Sequence, residues 1–186
     1  MSMHVALLRG VNVVGNSMVA MSDLRDVLGA MGFTDVRSLL QSGNLVFRTN
    51  RRLAGASLER LLETATAKRL GRDSPTYMVR SAAEWNRLID ANPFPGAAKR
   101  DPSHLLVMFL KTPVAQADVK SLRAAIRGLE TIEIVGKHLY VIYPDGVGKS
   151  KFTHGLIERH LATRATGRNW NTVVKLAALL TLNEGR

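Results

Sequence analysis

The chain has 186 residues, is 46% hydrophobic and contains no cysteine. That length suits one or two compact domains with a real core, and the missing thiols exclude disulfides, thiolate metal sites and a cysteine nucleophile. A formal net charge of +11 and a pI near 10.7 favour polyanionic partners: nucleic acid, nucleotides or anionic lipid.

His4 to Arg9 reads as a buried strand, followed by a Gly/Asn loop from Gly10 to Asn16. Ser22 can cap a helix with Leu24, Val27, Leu28 and Met31 on one face, stopped by Gly32. Val36–Leu40 and Asn44–Arg48 flank Gln41-Ser42-Gly43 as a hairpin. Leu58, Leu61, Leu62, Ala65 and Leu70 stripe a second helix ended by Gly71, and Thr76–Val79 forms a fourth strand. The order β-α-β-β-α-β is the split βαβ pattern of a ferredoxin-like unit.

Ser81 caps a connecting helix, which Asn92-Pro93-Phe94-Pro95-Gly96 breaks. After it the order repeats: a strand over Leu105–Leu110, a helix opened by Thr112-Pro113, a hairpin of Ile132–Val135 and Leu139–Tyr143 turned at Gly136-Lys137, a helix over Phe152–Leu161, a short strand over Ala162–Thr166, and a C-terminal helix over Asn171–Leu182. The expected fold class is α+β, with two ferredoxin-like halves (1–95 and 96–186) built on antiparallel sheets. No apolar run is long enough for a signal-peptide core or a bilayer span, so a cytoplasmic protein without a membrane partner is expected.

Three polar segments carry the candidate chemistry. Arg9 to Ser17 joins a strand to a helix, where backbone N–H groups face an anion. Its Gly10–Gly15 spacing matches a P-loop, but Asn16 stands where that motif needs lysine. Tyr143 to Lys151 ends in Gly148-Lys149-Ser150, yet Tyr143 holds the first-glycine position and a hairpin strand feeds the loop, which rejects an ATPase. A looser anion site of Lys149, Ser150 and Lys151 at the start of the Phe152 helix remains, beside an ordinary Pro-Asp-Gly turn with a serine cap. Arg168 to Thr172 reads as a cap and a Trp170 anchor, with the Arg168 guanidinium left over for carboxylate or phosphate.

Ala6 to Val13, Gln41 to Asn44, Asn92 to Phe94, Gly148 to Lys151 and Arg168 to Val173 resemble, in order, the signature blocks of the domain-of-unknown-function (DUF) 1697 family. The resemblance spans essentially the whole chain. It implies a bacterial-type cytosolic α+β protein with two ferredoxin-like halves and no particular reaction. Val14 and Ser17 depart from the family pattern, which weakens the phosphate-cradle reading of the first loop.

His4, His104 and His138 fall on expected strands as lone polar groups, and His154 with Glu158 is too small a set for a metal. No metal or cofactor is expected. The strands lack the aromatics of an RNA-recognition motif: Val5 to Arg9 has none, Asn44 to Arg48 only Phe47, and Tyr140 and Tyr143 point to opposite faces. The residues read as a candidate anion site are Arg9, Asn12, Gln41, Asn44, Lys149, Ser150, Lys151, Arg168 and Asn169, with at least two of their segments expected to meet in a cleft between the halves. The function they favour is binding of an anionic ligand, nucleotide or nucleic acid. The alternatives are a small enzyme acting on a phosphorylated or carboxylated metabolite, and a protein-interaction module; no catalytic residue is assigned.

Overall fold

The computed structural model describes residues 1–10, 19–53, 55–71 and 75–181. The elements are β1 (Ser2–Leu8), α1 (Met21–Ala30), β2 (Thr34–Leu39), β3 (Asn44–Thr49), α2 (Gly55–Leu70), β4 (Tyr77–Ser81), α3 (Ala82–Asp90), α4 (Pro95–Arg100), β5 (Leu105–Leu110), α5 (Gln116–Ala124), β6 (Thr131–Val135), β7 (His138–Ile142), α6 (His154–Leu161), β8 (Ala165–Asn169) and α7 (Trp170–Thr181). They form two four-stranded antiparallel sheets, ordered β2-β3-β1-β4 and β6-β7-β5-β8. Both orders are the ferredoxin-like arrangement, in which each helix crosses over a strand inserted between the two it connects. The chain divides into two compact units, Arg87–Lys175 and Met1–Asn86 with the chain from Leu176 onward.

In the first unit, Leu24, Val27 and Leu28 of α1 and Leu58 and Leu62 of α2 bury against Ala6, Leu8, Leu45, Phe47, Tyr77 and Val79 of the sheet. In the second, Val119, Leu122, Ile157 and Leu161 cover Leu106, Met108, Leu110, Leu139 and Val141. The opposite sheet faces are also buried. Val5, Leu7, Val46 and Met78 have no solvent exposure in the first unit, nor do Leu105, Val107, Phe109 and Tyr140 in the second. Tyr140 Oη donates to the Leu88 carbonyl of α3, and burial pushes its phenol up to about 12.

One outer strand of each sheet, β4 and β8, is tied to a helix by carboxylates. Glu63 and Glu59 of α2 accept from Tyr77 N and Val79 N, both at 2.9 Å. Four helical residues rise about 6 Å and two strand residues about 6.7 Å, so glutamates at i,i+4 reach alternate N–H groups of an edge strand. Glu158 of α6 treats Ala165 N likewise, at 2.7 Å. That bond, with Ala162 in the left-handed region at φ 48°, starts β8 at Ala165 rather than at the expected Ala162.

The halves also correspond in detail. Arg80 pairs with Val5 across β4 and β1, and Arg168 with Val107 across β8 and β5. The next residue caps the following helix in both. Ser81 and Glu84 form a reciprocal capping box, and Asn169 Oδ1 accepts from Thr172 N at 3.0 Å. Helix starts elsewhere differ from expectation. Ala20, not Ser22, precedes α1 and makes no side-chain cap; α6 begins at His154, capped by Thr153.

Glu59 and Arg80 are almost wholly buried and lie 3.7 Å apart. Removing one member of such a pair leaves an uncompensated charge. Glu59→Ala is therefore expected to lower unfolding stability by about 3 kcal/mol, and Glu59→Gln, whose amide oxygen still accepts from Val79 N, by clearly less. Urea denaturation checks this; equal losses would assign the whole effect to the charge facing Arg80, because Glu59→Gln keeps both the side-chain volume and the accepting oxygen.

Candidate anion-binding cleft

The β6–β7 register pairs Val135 with His138 and Thr131 with Ile142. Continued outward, it sets the Arg127–Glu130 segment beside the one starting at Tyr143. There a cleft of about 380 Å³ is lined by Arg127, Gly128, Leu129, Glu130, the Tyr143–Gly146 turn and Lys149–Lys151. A short 3-10 turn over Val147–Lys149 shapes the loop, with Lys149 N and Ser150 N donating to Gly146 O and Val147 O. Gly146 has φ +84°, a conformation glycine adopts without penalty.

The floor is fixed by Tyr143, whose hydroxyl donates to Phe152 O at 2.9 Å. Burial and the nearby Glu130 charge push that phenol well above its ordinary value, so it stays protonated. Ser150 Oγ accepts from Phe152 N at 2.9 Å and donates to Glu130 Oε1. Glu130 Oε2 is buried with no hydrogen-bond partner among the described residues. Arg127, Lys149 and Lys151 are exposed, and their side chains make no ion pair among the described residues. Leu129, 74% exposed, stands on the rim.

The sequence-derived candidates are distributed unevenly. Lys149, Ser150 and Lys151 line the cleft. Arg168 and Asn169 do not: the Arg168 guanidinium donates to Thr166 Oγ1 and Gly167 O, both at 2.8 Å, and Asn169 caps α7. Burial pushes Arg168 down to about 10, which leaves it cationic at neutral pH. In the first unit, Leu8 N donates to Gly43 O, bringing the end of β1, with Arg9, beside the Gln41–Asn44 turn. Asn44 is fully buried and its amide donates to Leu39 O and Ser42 Oγ, so it stitches the turn. Asn12 and the rest of the first loop, from Val11 to Ser17, lie outside the described residues. Arg127, Gly128 and Glu130 were not singled out from sequence; the hairpin register is the signal that points to them. The described residues hold no cluster of His, Asp and Glu fit for a metal ion and no helix long and apolar enough to cross a membrane.

The model of the family described as protein of unknown function (DUF1697) matches residues 1–140, and the chain belongs to that family. Among solved structures, the conserved bacterial protein SP0830 from Streptococcus pneumoniae is similar at TM-score 0.74 and 21% identity, over 97% of this chain and 99% of that one. This likeness carries the fold. No curated protein matches the chain.

The first unit also holds a buried histidine. His4 is 6% exposed, stacks on Phe47 with ring centroids 5.5 Å apart, and has no partner at Nδ1 among the described residues. Desolvation lowers its pKa, opposed by its Ser2 backbone bond and by the Glu84 charge. Below about pH 6.5 the unfolded chain takes up a proton that the folded chain resists, so stability falls as pH falls. His4→Phe is expected to remove this contribution, which is at most about 1.4 kcal/mol per pH unit. Denaturant titrations between pH 7.5 and 5 check it; equal pH slopes for both proteins would contradict it.

Proposed function

We propose that this DUF1697 member binds a small anionic ligand, a phosphorylated metabolite or mononucleotide, in the cleft between the Arg127–Glu130 and Tyr143–Lys151 segments. The observation that carries this reading is the gathering of Arg127, Lys149 and Lys151, without ion pairs, around one concavity. Unneutralised cations beside a glycine-containing backbone suit phosphate or carboxylate. The cleft lies at the small end of the range for ligand pockets, about 300–1,000 Å³, which favours one small molecule over a polymer. Burial of both sheet faces also argues against base stacking on a β-sheet platform. A cytoplasmic setting accompanies the reading, because phosphorylated metabolites are concentrated there.

The test is titration with a fluorescently labelled nucleoside triphosphate at low salt. Replacing Arg127, Lys149 and Lys151 together by Ala is expected to weaken binding at least about tenfold, as loss of several charge-assisted contacts does. Replacing the exposed Arg52, Lys68 and Arg69 of the first unit removes the same charge and is expected to change affinity much less. Equal losses would reduce the effect to diffuse attraction by a basic protein.

A further inference from the structure

The cleft contains one group that works against an anion. Glu130 Oε1 accepts the hydrogen bond of the Ser150 hydroxyl, while the Ser150 oxygen accepts from Phe152 N. A hydroxyl has one proton to donate, so Ser150 offers none to a ligand while Glu130 holds it. The other carboxylate oxygen, Oε2, is sealed from solvent without a partner among the described residues, an arrangement that costs free energy. None of the three cleft cations pairs with this carboxylate.

Gly128 makes the arrangement sterically possible. A Cβ there would stand 2.5 Å from Glu130 Oε2 and 3.0 Å from Oε1. Gly128 does not have a positive φ, so the backbone does not require glycine; a side chain there would instead push the Glu130 carboxylate out of its present position.

We propose that Glu130 is a built-in competitor, a carboxylate that occupies the Ser150 donor in the empty cleft and is displaced when a ligand anion binds. This rests on the anion-binding reading of the cleft and adds a selection rule to it. The competitor is a monoanion, so a dianionic phosphate ester displaces it more readily than a simple carboxylate does. Once Glu130 swings toward solvent, the Ser150 hydroxyl turns to the ligand and the unpartnered oxygen regains water.

The same labelled nucleoside triphosphate tests the proposal, with inorganic phosphate and acetate as unlabelled competitors. Glu130→Ala is expected to bind about tenfold tighter than wild type. Asp145→Ala, which removes an equal charge from the same cleft, is expected to gain only about two- to threefold from the general field. Gly128→Ala leaves the charge unchanged and expels the carboxylate sterically, so it is expected to gain several-fold. Phosphate is expected to compete better than acetate in wild type, with that preference reduced in Glu130→Ala. Thermal melts establish that each variant is folded, and Glu130→Ala and Gly128→Ala test the idea independently of one another. If wild type binds through its three cations but neither variant exceeds Asp145→Ala, the competitor role is overturned alone. If neither wild type nor variants bind, the anion site and its competitor fall together.

Discussion

The second unit's cleft depends on the register of one hairpin. Gly136, at φ +58°, turns the chain so that Val135 faces His138, and the pairing runs to Thr131 and Ile142 without a shift. A slip of one residue would turn every side chain of the strand to the other face. It would bury polar groups where Ile132, Leu139 and Val141 now join the core. Core burial therefore holds the register, and the register brings the two segments that line the cleft side by side. Catalytic or binding loops carried on a rigid hairpin are a common consequence of this arrangement.

A second constraint closes the sheets. The central strands β1 and β5 are buried on both faces for almost their whole length, so neither offers an open face on which a ligand could stack. The outer strands β4 and β8 have N–H groups occupied by helix carboxylates, which blunts edges that would otherwise pair with other chains.

The strands and helices were legible because alternation, 3-4 spacing and glycine turns agreed with the final packing. They failed where a tertiary contact decided. β8 begins at Ala165 because Glu158 reaches its first N–H, and no local signal in Ala162 to Thr166 announces that. α6 begins after Thr153, whose hydroxyl accepts from Leu156 N as its cap. The cleft was half legible. Gly148-Lys149-Ser150-Lys151 draws attention by its composition, whereas Arg127-Gly128-Leu129-Glu130 looks like any helix-to-strand connection until the register is known. Asn44 and Arg168 show a structural use of the same residue types. Donor-rich side chains beside glycines resemble a ligand site in sequence, yet here they hold a turn and a buried strand end.

The central claim is that the cleft beside the β6–β7 hairpin is where an anion binds. Amide NMR spectra recorded while inorganic phosphate or a mononucleotide is added test it most directly. The account predicts that saturable shifts concentrate in Arg127–Glu130 and Asp145–Lys151. Shifts spread over the basic surface, rising without saturation, or centred on the Gln41–Asn44 turn instead, would contradict it.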